Sequence, residues 1–217
     1  MAKKFKSNNP ETTRMFKNNF LEFFSKVHPS VPVVIYVPVI SILLYCSVVK
    51  GELTFLSTLF YIFFGMFVWT ITEYLLHRFV FHFEPNSEIG KRLHFIFHGV
   101  HHDYPNDPLR LVMPPAVSIP LALMFYFVFL YFLGSSNNYP FFAGFLIGYL
   151  FYDMTHYAVH HSKIRNSFFL KLKKHHLKHH YQNPDMGYGV SSVMWDKLIG
   201  TDFSEKETGK QLVDESN

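Results

Sequence analysis

Residues 141–161 read FFAGFLIGYLFYDMTHYAVHH, an apolar run that passes directly into three histidines. A helix through this segment lies in hydrocarbon for most of its length and delivers imidazoles at one membrane face. The run proper, Tyr139 to Tyr152, is short for a span; it gains the length by continuing through Asp153 and Met154 to Tyr157, with that end at the interface. Three further charge-free runs, Val31 to Val49, Leu53 to Thr72 and Leu111 to Leu133, each approach the ~20 helical residues that cross roughly 30 Å of hydrocarbon. A single such run would suit a buried helix of a soluble domain, whereas four point to an all-α, polytopic membrane protein. The expected spans are about 31–49, 53–76, 112–133 and 139–157, within a membrane domain covering 31–202.

Charge sets the expected topology. Of the 20 Lys and Arg residues, only Lys50 falls in either of the two short loops, 50–52 and 134–138, that would share one face. The positive-inside bias then makes the opposite face cytoplasmic, and that face holds both termini and every histidine cluster. The basic residues flank the spans instead of forming a stripe, so the pI of 9.0 reads as attraction to a membrane surface, with no nucleic-acid partner. The lone cysteine, Cys46, lies inside the first span, which excludes an internal disulfide and a thiolate zinc site; any metal is held by N and O ligands. Residues 1–30 carry no cleavable-signal pattern. Phe16, Phe20, Phe23, Phe24 and Val27 fall at helical spacing there, which fits either an interfacial amphipathic helix or one packed on the core, ended by Pro29 and Pro32. Residues 203–217 read as a frayed, charged tail.

Fourteen histidines are present, and most fall into four groups on the cytoplasmic side: HRFVFH at 77–82, HGVHH at 98–102, HYAVHH at 156–161 and HLKHH at 176–180. On a helix, positions i, i+3 and i+4 share a face, so His98, His101 and His102 are expected to converge, as are His176, His179 and His180, and likewise His156 with His160. His77 and His82 are five apart, about 140° around an ideal helix, and require a helix end between them or separate metals. Neutral imidazole is the commonest metal ligand. A structural zinc takes four ligands and a catalytic one three, so this many imidazoles point to two ions. Iron suits imidazole, while zinc can occupy such a site in purified protein because it binds N and O ligands more tightly than Fe(II). Glu73, Asp103 and Asp153 lie close enough in sequence to His77, His102 and His156 to orient their rings by accepting the other N–H.

At these residues the chain resembles the fatty acid 2-hydroxylases, a branch of the membrane-bound fatty acid hydroxylase and sterol desaturase superfamily. EYLLHRFVFH, FHGVHHDYPNDPLRLVMPP, YDMTHYAVHH, HLKHHY and GVSSVMWDKLIGT follow the family pattern in order over roughly residues 70–202. The resemblance implies a cytoplasmic helical cap with a dinuclear site and ten metal ligands: His77, His82, His98, His101, His102, His156, His160, His176, His179 and His180. It leaves out His28, His94, His161 and His175. His94 lies four before His98, while His161 and His175 are rotated away from their neighbours and suit hydrogen bonding.

The implied reaction is hydroxylation at carbon 2 of a fatty acyl chain, free or N-linked in a sphingolipid, by a di-iron centre using dioxygen. Many relatives carry a cytochrome b5 domain, and no haem-binding HPGG occurs here, so a separate donor of cytochrome b5 or ferredoxin type with a reductase is expected. The membrane is a bacterial inner membrane or the endoplasmic reticulum. The alternatives are a sterol or carotenoid hydroxylase or desaturase of the same superfamily, and a non-enzymatic membrane metal-binding protein. The latter would string ligands across the bilayer rather than gather them at one face.

Overall fold

Long apolar runs without internal charge can satisfy their backbone in hydrocarbon only as helices, and that is what they form. The computed structural model describes residues 5–203, and no strand occurs among them. In chain order the elements are α1 (Asn19–Ser25), α2 (Ser30–Lys50), α3 (Phe55–Leu75) running into a π-turn (Leu76–Phe81), α4 (Glu88–His94), a second π-turn (Phe95–Gly99), α5 (Val100–Asp103), α6 (Pro115–His161), α7 (Ser167–Tyr181) and α8 (Met194–Ile199). By length and composition, Ser30–Lys50, Phe55–Phe81 and Pro115–His161 are able to cross a membrane.

The third of these is two helices. At Gly134 the backbone adopts φ 70° and ψ 168°, a left-handed conformation that favours glycine. Beyond it the chain folds back, for Phe129 packs on Phe141 with ring centroids 4.9 Å apart and Phe125 on Phe145 at 5.2 Å, an antiparallel register. Four helical segments of spanning length result. The loop expected over 134–138 contracts to one residue, because Asn137 and Asn138 use their side-chain amides on the Leu133 and Tyr126 carbonyls and let the helix resume at once. Helix α6 begins at Pro115, leaving Leu111 and Val112, expected within the span, buried outside it.

Close approach of backbones holds the bundle. A Cβ added at Gly65 would lie 1.9 Å from the Phe141 carbonyl oxygen, and one at Gly144 would lie 1.9 Å from that of Ile62. In hydrocarbon, where burying a leucine gains nothing over leaving it in lipid, such small-residue crossings supply the packing. Tyr36, Trp69, Phe145, Tyr149 and Tyr152 fill the interior, while Phe60, Phe63, Phe127 and Phe132 point outward. Lys50 and Glu52 reach Ser135 and Ser136 at one end of the bundle. The histidine-bearing ends of α3 and α6 lie together at the other.

The N-terminal segment is strapped across that end. Helix α1 covers seven residues, with Phe20, Phe23 and Phe24 exposed and Val27 buried on another side, so the five apolar residues expected on one face do not share it. Glu22 is the reason: it turns inward to meet Arg110 at 2.7 Å and accepts the Met15 and Phe16 N–H groups. Those two backbone N–H donors and the Arg110 charge hold its carboxyl below the usual glutamate range despite its burial. Pro29 caps α2 and Pro32 sits in its first turn, where proline is tolerated. Asp107, fully buried, accepts from Thr12 and Thr13, which ties the same strap to the segment before α6. Phe203 is buried against Gly187 and His175; the rest of the expected frayed tail lies outside the described residues.

Because the Arg110 and Glu22 side chains are 1% and 6% exposed, Arg110→Met removes the nearest cation from a buried carboxylate, leaving it Lys26 at 3.4 Å and two backbone N–H groups. That costs about 3 kcal/mol and lowers the melting temperature in detergent by roughly 6–12 °C, checked by a fluorescence thermal melt; an unchanged midpoint would contradict the strap's role.

Candidate metal centre

Ten histidines gather beneath the strap in two groups of five. His77, His82, His98, His102 and His179 form one, and His101, His156, His160, His176 and His180 the other; within each group one ligand atom per ring lies within 4.8 Å of every other. These are the ten residues the family resemblance implied. His28, His94, His161 and His175 belong to neither group.

The sorting follows helix geometry. In HGVHH the i, i+4 pair His98 and His102 enters the first group and the i+3 residue His101 the second. In HLKHH the assignment is reversed: His176 and His180 enter the second group and His179 the first. The triplets therefore do not each converge on one point, as their shared face suggested. Positions i+3 and i+4 diverge by 100° around a helix, enough to address two centres placed side by side. The two groups meet where His102 stacks on His180 with centroids 4.2 Å apart.

His77 and His82 enter the same group, so neither separate metals nor a break between them is required. Their segment forms a π-turn in which the His82 N–H donates to the His77 carbonyl, five residues back. That wider turn stacks i and i+5, and it brings their Nε2 atoms to 3.3 Å. A second π-turn, Phe95–Gly99, contains His98.

Nε2 atoms face one another at 3.1 Å for His77 and His98, 3.0 Å for His98 and His102, 2.9 Å for His101 and His156, and 3.0 Å for His176 with both His160 and His180. Imidazole nitrogens bound to one ion at about 2.0–2.1 Å stand roughly 3.0–3.4 Å apart, so the spacing fits metal ligation. The Nε2 of His179 is buried and has no hydrogen-bond partner among the described residues, which also fits a lone pair reserved for a cation. Burial first, and crowding by neighbouring imidazoles second, push His82, His98, His101, His102, His176, His179 and His180 well below the ordinary histidine range. The rings are thus neutral at pH 7, the form that binds metal.

Main-chain carbonyls, not acids, orient two rings of the first group. His77 Nδ1 donates to the Tyr188 carbonyl at 2.5 Å and His179 Nδ1 to that of Met186 at 2.7 Å. The segment bearing those carbonyls is held from both sides. Asp196 accepts the Tyr188 and Gly189 N–H groups, and Glu73 accepts those of Val190 and Ser191 together with the Ser191 hydroxyl. Glu73 therefore accepts from backbone and serine, and from no imidazole among the described residues. Asp103 pairs with Lys6 at 2.6 Å, and Asp153 accepts from the Tyr149 hydroxyl and the Met113 N–H, so neither takes an imidazole N–H. In the second group the Nδ1 atoms of His101, His160, His176 and His180 have no partner among the described residues, and the rings pack edge to face, as with His101 and His180 at 4.5 Å.

Of the remaining histidines, His175 donates to Asp196 at 3.0 Å, as its rotation suggested. His161 packs beside Tyr157, its Nε2 without a hydrogen-bond partner among the described residues, and His28 meets the Ser30 hydroxyl. Sequence reading missed Asp196 and the Met186 and Tyr188 carbonyls. Carbonyls leave no signature in residue type; the signal available was Asp196 close behind two glycines. A narrow cavity of about 40 Å³ adjoins His98, His101 and His156, walled by Phe81, Met113 and Tyr152.

Comparison with known proteins places this architecture. A family model described as fatty acid hydroxylase matches residues 62–201. A dihydroceramide fatty acyl 2-hydroxylase of Arabidopsis thaliana is 40% identical over 88% of this chain and 80% of its own length. A ceramide very long chain fatty acid hydroxylase of Saccharomyces cerevisiae is 43% identical over 84% of this chain and 48% of its own. The solved structure of full-length scs7p, with only the hydroxylase domain visible, superposes with a TM-score of 0.81 at 42% identity, over 85% of this chain and 70% of that one.

Because the buried rings are neutral when folded and titrate near pH 6.5 when unfolded, the unfolded chain binds more protons below that pH. Stability is retained above about pH 6.5 and lost as pH falls, and bound metal follows because protons compete for the same nitrogens. Dialysis in steps from pH 8 to 5, with metal content and melting temperature read at each, should show both falling together below about 6.5; a rise on acidification would contradict the neutral-ligand assignment.

Proposed function

The chain belongs to the fatty acid hydroxylase family, and we propose that it is a membrane fatty acid 2-hydroxylase, inserting one atom of dioxygen at carbon 2 of an acyl chain. The observation that carries this reading is the position of the ten-histidine centre. It sits at the end of the spans, beside a cavity walled mostly by apolar side chains, with Arg110 and Asp153 as its charged members. Carbon 2 adjoins the polar end of an acyl chain, so it reaches such a centre while the tail stays among the helices. Relatives that are named 2-hydroxylases, at about 40% identity, support the same choice.

Two irons, when bound, supply the oxygen-activating redox chemistry that an unactivated C–H bond demands. The ten imidazoles would hold them, five to each, and the Tyr188 and Met186 carbonyls fix His77 and His179 with Nε2 facing inward. Met113 borders both the cavity beside the histidines and an apolar one lined by Trp69 and Phe145. Tyr36, Ala122 and Leu146 in turn border that cavity and a groove of about 400 Å³ between α2 and the halves of α6. The outer groove has room for an acyl tail, whereas the two inner cavities, about 40 and 20 Å³, would have to widen to admit one between the groove and the histidines. The second oxygen atom leaves as water, which requires two protons, together with two electrons from a donor of cytochrome b5 or ferredoxin type. The basic residues beside the histidine end suit a cytoplasmic face.

Lipid extracts of cells expressing the chain with a donor and reductase should contain new 2-hydroxyacyl chains by mass spectrometry. Cells expressing His179→Ala should show only background, since the variant deletes one of five ligands from the first group. Hydroxylation absent at carbon 2 in the wild type, or undiminished in the variant, would overturn the assignment.

A further inference from the structure

Helix α7 has two chemically opposite sides. His176, His179 and His180 face the metal centre and are buried. Lys171, Lys174 and Lys178, spaced i, i+3 and i+7, form a face centred about 150° away around the helix. With Lys197 from α8 they ring a surface recess of about 270 Å³ that has His175 in its wall. Among the described residues four lysines and one acid, Asp202, line it, so the described lining carries excess positive charge.

This recess is wired to the metal centre. His175 donates to Asp196 Oδ2 at 3.0 Å, Asp196 Oδ1 accepts the Tyr188 N–H at 2.9 Å, and the Tyr188 carbonyl accepts His77 Nδ1 at 2.5 Å. A continuous path of three hydrogen bonds and the bonds between them therefore joins the lysine-ringed surface to a ring of the first group. The direct distance is also short, since only the width of one helix, about 10–12 Å, separates the lysine face from the buried imidazoles.

We propose that the recess between α7 and α8 is the docking surface for an acidic one-electron carrier protein. The proposal rests on the hydroxylase reading, which requires two electrons per turnover. With metal held by the ten histidines, each docking would oxidise the carrier by one electron and reduce the centre by one, so that two dockings would supply the pair. Complementary charge brings the carrier in and sets its register, and the hydrogen-bonded path explains why this face is used rather than another. A lipid headgroup would satisfy the lysines without any need for the path.

The test is binding, read without oxygen or lipid substrate, so that its failure is separable from failure of the hydroxylase assignment. The full chain in neutral phosphatidylcholine nanodiscs is titrated with the soluble haem domain of a cytochrome b5 and, separately, with a plant-type ferredoxin. The expected result is saturable binding of at least one carrier that weakens with salt, with affinity at least tenfold lower for Lys171→Glu/Lys174→Glu/Lys197→Glu. The matching triple arginine variant should bind as the wild type does, and equal metal content in all three proteins shows that the centre is intact. No binding by the wild type, or equal binding by the charge-reversed variant, would overturn the proposal. So would a variant that binds both carriers normally but loses retention on phosphatidylserine vesicles, because the lysines would then serve lipid.

Discussion

Ten imidazoles packed into one small volume, seven buried and three half-buried, are tolerable only as neutral rings, and neutral rings whose nitrogens face each other at about 3 Å have too few protons to satisfy every pair. A shared cation resolves that conflict, and much of the molecule is arranged so that it can. Helices α3 and α6 end at the same level. A π-turn brings His77 and His82 into a register that α-helical spacing would separate. The strap of residues 5–27 and the segment 186–191 close the space around them. None of these features is an efficient way to bury apolar surface, and each makes sense as support for ligands.

The fold was largely legible because its signals are long and physically forced. A charge-free run of about 20 residues has one way to sit in hydrocarbon, and the positions of Lys50 and the other basic residues order the ends. Where the reading failed, the deciding interaction was local and stereochemical. Gly134 makes a reversal in one residue where a five-residue loop was expected, because the neighbouring asparagines bond back to carbonyls. Residues 16–27 show helical spacing, yet Glu22 prefers Arg110 and turns a would-be apolar face outward.

The site shows the same division. Residue type and clustering were enough to find the ten histidines, since no packing role explains so many. Spacing alone did not sort them, because i+3 and i+4 look alike until two centres lie side by side and the 100° between them matters. The His77 and His82 pair needed a π-turn, which no residue type announces. Orientation was assigned to Glu73, Asp103 and Asp153 because acids are visible in a sequence. The groups that perform it are the Tyr188 and Met186 carbonyls, and the acids act one step further out: Glu73 and Asp196 fix the backbone that carries the carbonyls.

The central claim is that the two five-histidine groups each hold one ion. It is tested most directly by metal analysis and iron K-edge absorption on protein purified from iron-supplemented cells. About two ions per chain are expected, each with a nearest shell of imidazole nitrogen at metal–ligand distances of about 2.0–2.2 Å. Saturation at one ion per chain, or a shell dominated by carboxylate oxygen, would contradict it.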